Sequence, residues 1–399
     1  MKATSLTRPH LVVLLLLASI NFTHIMDFMI MMPMAPQLMR VMHISPKQFS
    51  ILVASYTIAA GIASFFGTFF VDRFDRKKVI LICYTGFIIG TAICGLATNY
   101  HFLMIARILT GLLGGIIGSQ VLSIVGDIIP AENRGKATGI IMTGFSAASV
   151  LGVPFGLLLA TKFGWELPFF VIAIVGSIVL LAAIRILPSL TKHLDNQEPK
   201  RSPFELLKEI LSYKKHRLAL IFTVLVALSH FTIIPFLSPY MVANVGFEEI
   251  QLSYIYMLGG AVTIFSGPFI GKLADKYGLV RVYTILVLVA LIPQLAITNM
   301  PAVSIWIALI FTSLFFIFSG GRFIPSQALT IGAVQPAIRG GFMSLNSSVM
   351  QLASGLAAFM AGLVVVKNEA GQLMHFDILG YSTLIFSLLT IYMARKLKA

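Results

Sequence analysis

Twelve long apolar runs, parted by short polar breaks, leave this chain few ways to fold. A helix needs about 20 apolar residues to cross a hydrocarbon core of about 30 Å. The runs predict twelve membrane-spanning helices with limits near 10–36, 48–71, 79–97, 102–127, 137–160, 167–187, 217–243, 250–271, 281–299, 303–332, 341–366 and 377–394. The chain is 58% hydrophobic and 11% charged, more apolar than a soluble domain requires. The first run continues past Ile20 with no small-residue cleavage site and reads as a span, not a removed leader.

A formal charge of +14 would suit nucleic acid, but its placement argues otherwise. With the N-terminus in the cytoplasm, 23 of the 29 Lys and Arg fall in inner segments. Arg40, Lys47, Lys162 and Lys367 fall outside, and Arg107 and Arg322 lie within spans. That asymmetry follows the positive-inside rule. It predicts a multi-pass inner-membrane protein with both termini cytoplasmic, some attraction to anionic lipid, and no nucleic-acid partner. Trp165 and Trp306 fall at outer boundaries, where an amphipathic ring is favoured. Cys83 and Cys94 share one span, too far apart along it to bridge, and read as small apolar residues.

The densest charge is Asp72-Arg73-Phe74-Asp75-Arg76-Lys77-Lys78, between the second and third runs. A weaker copy, Gly271 to Arg281 with Asp275 and Lys276, lies between the eighth and ninth. Matched loops in two halves indicate a duplicated bundle, a transporter architecture. The predicted organisation is a six-helix bundle over 1–187, a cytoplasmic linker over 188–216 and a second bundle over 217–399. Within the linker, Ser202-Pro203-Phe204-Glu205 carries helix-start chemistry, and Phe204, Leu207, Ile210 and Leu211 form one apolar face. A short helix on the inner membrane surface is expected there.

These motifs resemble the major facilitator superfamily, in its twelve-helix drug:proton antiporter and sugar-efflux-like branch. Asp72, Arg73, Arg76 and Lys77 match that family's loop between helices 2 and 3, with Thr68 and Asp75 in place of its glycines. The second copy keeps Gly271, Asp275, Lys276 and Gly278. Arg107 and Gly111 are similar to the family's R-x-x-x-G in helix 4. Gly144 and Gly152-Val153-Pro154-Phe155-Gly156 are similar to the antiporter motif of helix 5, with Val153 parting Gly and Pro. Gly164-Trp165 continues with Glu166 where such exporters often have Arg. The resemblance implies an all-α fold of two six-helix bundles, alternating access, and proton-coupled export of a small amphipathic drug, sugar or metabolite. It also implies that Asp72, Arg76, Asp127 and Arg134 latch the cytoplasmic side, and that the protein works as a monomer without a cofactor. A proton-coupled importer or a facilitator of a small organic solute is the alternative, since the same bundle serves both directions.

Charges inside a bilayer cost about 2.5–3.5 kcal/mol each on insertion scales and usually face a partner or a cavity. Asp27 and Arg107 both fall in the outer half of their helices, and Asn21, His24 and Asp27 share one arc of helix 1. This points to a proton site of Asp27, Arg107 and His24, or else to a fixed ion pair. Asn21, Tyr56, His230, Tyr254, Arg322 and Gln327 are candidates for a substrate cavity, although intramembrane aromatics usually pack. Tyr240, Tyr256 and Phe231 share that reading. His230 alone in its span reads more naturally as a hydrogen-bonded structural residue. Arg322 either binds an anionic group or snorkels. Gly144, Gly152 and Gly156, with Ser347, Ser348, Ser354, Gly355, Ala358 and Gly362 in the eleventh run, would let helices approach closely. No H-E-x-x-H, paired catalytic carboxylates, metal-spaced ligands or nucleotide-binding loop occurs, which argues against an enzyme and against nucleotide-driven transport.

Overall fold

The computed structural model describes residues 7–130, 133–191, 203–335 and 338–398. Among the described residues, twelve helices are long and apolar enough to cross a membrane. In the first half these are α1 (Arg8–Ile30), α2 (Pro46–Gly67), α3 (Arg76–Gly95), α4 (Tyr100–Ile128), α5 (Arg134–Phe163) and α6 (Leu167–Ile186). In the second they are α7 (Lys214–Val245), α8 (Glu249–Tyr277), α9 (Leu279–Thr298), α10 (Ile305–Gly332), α11 (Arg339–Val364) and α12 (Phe376–Leu397). Each half packs internally, α1 against α4, α5 and α6, and α7 against α11 and α12. The halves meet along two symmetry-related seams, α2 with α11 and α5 with α8.

Backbone breaks concentrate where prolines fall. The expected continuous helix 10–36 instead ends at Ile30, and a short helix, Ala35–Val41, follows a turn containing Pro33. Helix α7 breaks likewise after Phe231, resumes at Ile234 with Pro235 in its first turn, and contains Pro239. A missing N–H and a ring clash account for both interruptions. Single π-helical turns interrupt α5 at Ala148–Gly152, just before Pro154, and α10 at Phe316–Gly320. Such turns are frequent at functional positions.

Packing differs between the two ends of the molecule. Near the terminal face, where α1 begins and α12 ends, each half has its own apolar cluster, with Leu14, Tyr84 and Ile124 in the first and Phe222, Tyr283 and Phe342 in the second. Toward the far face one cluster joins both halves, with Met26, Phe49 and Phe169 beside Phe236, Phe315 and Phe376. Arg40 forks onto both carboxylate oxygens of Glu249 across the far rim. A two-stranded hairpin, β1 (Val366–Lys367) with β2 (Leu373–Met374), lies beside it, and Asn244 bonds Leu373 through both backbone groups. The halves are therefore closed on the far side and separate near the terminal face.

One sequence expectation changes here. Trp165 does not sit in an interfacial belt: it is 3% exposed, with its ring edge-on to Phe169, because the far-side core extends over it. Trp306 is exposed. Linker residues 192–202 lie outside the described residues, as does the side chain of Phe204. The helix Pro203–Ser212 is present, and it docks by burying Ile210 in the second half's cluster. Leu207 is half-buried and Leu211 exposed.

Candidate functional site

Asp27 ends the run of buried polar residues on α1, and Arg107 lies two turns into α4. Their side chains are 0% and 1% exposed, and Arg107 Nη1 donates to Asp27 Oδ2 at 2.7 Å. Thr91 of α3 donates to the other carboxylate oxygen at 3.2 Å. The Arg107 guanidinium lies 4.2 Å from the centre of the Tyr56 ring, which stacks on Phe28. Such a cation–aromatic contact is stronger when desolvated.

One turn from Asp27, His24 packs its ring against Phe87. Both its ring nitrogens and the Tyr56 hydroxyl are buried without a hydrogen-bond partner among the described residues. They converge on Gly114, where an added Cβ would lie 2.9 Å from His24 Nε2 and 2.9 Å from Tyr56 Oη. Glycine keeps this polar corner open, and unmade hydrogen bonds of buried groups are costly enough to ask for an explanation. Asn21, on the same arc, instead reaches α5, donating to the Ile141 carbonyl at 3.4 Å.

The second half repeats this frame. His230 follows Lys214 by sixteen residues, as His24 follows Arg8. Ser319 follows Ile305 by fourteen, as Gly114 follows Tyr100, and Gln294 follows Leu279 by fifteen, as Thr91 follows Arg76. In the second half the matching histidine is hydrogen-bonded. His230 Nδ1 lies 3.0 Å from Ser319 Oγ, and its ring stacks on Phe315. Gln294 donates to Ser319 Oγ and to the Ser229 carbonyl. The positions matching Asp27 and Arg107 are Ile233 and Thr312, so this half lacks the ion pair.

Arg322 is 0% exposed, held by Ser387 Oγ at 3.1 Å and the Ser229 carbonyl at 3.0 Å. It does not snorkel. Tyr254 is 47% exposed, Gln327 is exposed, and neither joins the buried groups. Tyr256 is buried with its hydroxyl on Ser238, and Tyr240 donates to the Met300 carbonyl.

At the terminal face, Arg76 Nε pairs with Asp127 Oδ2 at 2.6 Å, joining α3 to the end of α4. Arg134 donates to the Gly126 and Ile129 carbonyls at that same helix end. Cations there complement the negative helix terminus. Lys77 Nζ donates to the Ile184 carbonyl. Arg73 and Asp275 are exposed, and the side chain of Asp72 lies outside the described ones. The turn before α3 needs no left-handed residue: Asp75 has φ −55°, while Gly278 at the matching place has φ +90°. Asp75 caps α3 by accepting from Lys77 N, and it also accepts from Ser189 Oγ and Leu190 N. Burial pushes its carboxyl pKa up, but these three bonds and Lys78 outweigh burial and hold it below the usual carboxylate range.

The sequence motifs named Asp27, Arg107, His24 and Tyr56, and the fold brings them together. They did not name Thr91, Gly114, Ser319 or Gln294, nor the Arg40–Glu249 clamp. The half-to-half repeat of positions could have found the first four.

The sequence profile of the Major Facilitator Superfamily matches residues 17–358 and, a second time, 219–396. The chain belongs to the Major Facilitator Superfamily. One relative in this superfamily is YbcL of Bacillus subtilis (strain 168), an uncharacterised MFS-type transporter. It is 25% identical over 331 residues, 82% of this chain and 81% of its own length. A bacterial homologue of the human lysosomal transporter Spinster, in an inward-facing and occupied conformation, has a similar fold. Its TM-score is 0.78 at 17% identity, over 99% of this chain and 98% of that one. The inward-open xylose transporter XylE from E. coli is similar over 95% of each chain, with a TM-score of 0.72 at 16% identity. The superfamily is one of membrane transporters, and the twelve-helix bundle is its fold.

Proposed function

We propose that this protein is a proton-coupled exporter of small amphipathic molecules that works by alternating access. In this reading both termini and the 188–216 linker are cytoplasmic, as the Lys and Arg asymmetry supports. The far face is then outside, and the closed far side with separate terminal-side clusters corresponds to an inward-facing state. Asp72 with Arg76, Asp127 and Arg134 acts as the latch when the cycle reverses.

The observation that carries the proposal is the Asp27–Arg107 pair, buried in apolar core beside two unpartnered polar groups. In this reading a substrate or a rocking motion draws Arg107 away from Asp27, and the freed Asp27 carboxyl is the group that carries the proton. Tyr56 holds Arg107 by its ring face, and His24 offers a relay over Gly114. A proton moving inward across an inside-negative membrane releases about 2.3 kcal/mol per 100 mV. Export over import is supported by the helix 5 sequence Gly152 to Gly156 and the π turn before it, a hinge between α1 and the other half.

The test uses liposomes with an imposed pH gradient and a compound found by screening a panel with a pH-sensitive dye. Asp27→Asn should lose uphill transport while keeping downhill counterflow. Full uphill transport by this variant would overturn the assignment and turn attention to His230 or Asp127.

A further inference from the structure

Arg322 is a fully buried cation with no ion pair among the described residues. The sequence explains the lack. The only carboxylates after residue 217 are Glu248, Glu249, Asp275, Glu369 and Asp377, all in loops or at helix ends. In the first half Asp27 neutralises Arg107; in the second half no acid is placed to neutralise Arg322. Removing the partner from a buried charge pair costs about 3–5 kcal/mol, so a lone buried guanidinium calls for an anion from elsewhere.

The surroundings are built for one. Two Arg322 nitrogens bond neutral oxygens, Ser387 Oγ and the Ser229 carbonyl, while Nε has no partner among the described residues. Gln294 Nε2 donates to the same Ser229 carbonyl, so that oxygen keeps a donor when an anion draws Arg322 away. The site also sits at two backbone discontinuities. The π turn Phe316–Gly320 ends two residues before Arg322, and α7 breaks at Thr232–Ile233, just after Ser229. Discontinuous helices let packed interiors open to a ligand. A Cβ at Gly320, the last residue of that π turn, would meet nothing within 4 Å.

We infer that Arg322, with Ser387, is a site for a small monovalent anion in the second bundle, opened by the break in α7 and the π turn of α10. The chemistry it selects is a single carboxylate or a halide of similar size, bound by the guanidinium and a serine hydroxyl. A carboxylate on the transported solute is the occupant this reading favours. Only that last clause rests on the transport proposal, because binding at the site needs no transport.

The experiment follows thermal unfolding of the purified full chain while sodium acetate, or separately sodium chloride, is titrated at fixed pH. Wild type should show a saturable rise in Tm of roughly 2–4 °C. Ser387→Asp places a tethered carboxylate against Arg322, so it should melt higher without added anion and lose the saturable rise. Arg322→Gln should lose it as well. Saturation by acetate alone assigns the site to an organic carboxylate, and equal saturation by chloride assigns it to an inorganic anion. A wild-type Tm indifferent to both salts, or an equal rise in Ser387→Asp, would overturn the site. Because the readout is unfolding, its failure is separate from any loss of coupling in Asp27→Asn.

Discussion

Asp75 shows how one side chain can replace a glycine turn. Its carboxylate caps α3 and ties the second–third helix turn to Ser189 and Leu190 beyond α6. Losing an N-cap costs about 1 kcal/mol, and the bonds to Ser189 and Leu190 add to that. Asp75→Ala should therefore lower the unfolding midpoint at neutral pH. The contribution also titrates. The folded carboxyl pKa lies below its unfolded value, so the ionised form stabilises the fold fully above about pH 4. The difference in Tm between wild type and Asp75→Ala should persist down to that pH and shrink as pH falls through the folded pKa. A difference independent of pH would show that the charge is not what stabilises the turn. Asp27 and Arg107 were legible at this scale because a charge in an apolar run is conspicuous. Thr91 and Ser319 showed only through the repeat of positions between the halves, and Ser387 gave no signal, since a lone hydroxyl in a span is silent until the fold supplies its partner.

At the scale of elements, length and apolarity disclosed the twelve helices because a bilayer imposes both. The breaks at Ile30 and Phe231 were hidden, since proline in a membrane helix can bend it as readily as end it. The helix 5 glycines were read together as close-packing residues, and their surroundings now separate them. A Cβ on Gly144 would lie 2.5 Å from the Ala18 carbonyl oxygen, which is backbone and cannot move aside. One on Gly156 would meet the tip of Ile30 at 2.8 Å, a side chain that can rotate. Gly144→Ala should push α5 from α1 and cost about 1–3 kcal/mol, the usual range for overpacking. Gly156→Ala should cost less than half as much. Melting curves of the two purified variants check this, and equal losses would refute the distinction.

For the whole molecule, the far-side closure is fastened by Arg40 and Glu249, one from each half. A cavity of about 880 Å³, lined by Lys47, Val242 and Lys367, opens beside this clamp. An exposed ion pair contributes at most about 1 kcal/mol, enough to shift a two-state population up to about five-fold. Glu249→Gln should raise the labelling rate of Val242→Cys by an impermeant thiol reagent by up to that factor. Lys47→Cys, at the rim, should be labelled from outside intact cells in both backgrounds. Labelling of Lys47→Cys only after the cells are broken would reverse the orientation. The two-bundle plan was visible in the repeated loops, but which end was closed was not, because either closed state uses the same helices. The apolar cluster shared by both halves gives that closure a thermal character. Parting it would wet apolar surface, while the terminal-face segments that close in exchange are rich in charge. The exchange of states therefore carries a positive heat capacity, as partial unfolding does. Its equilibrium should bend with temperature, and cooling, which weakens apolar association, should tilt the molecule toward opening at the far face.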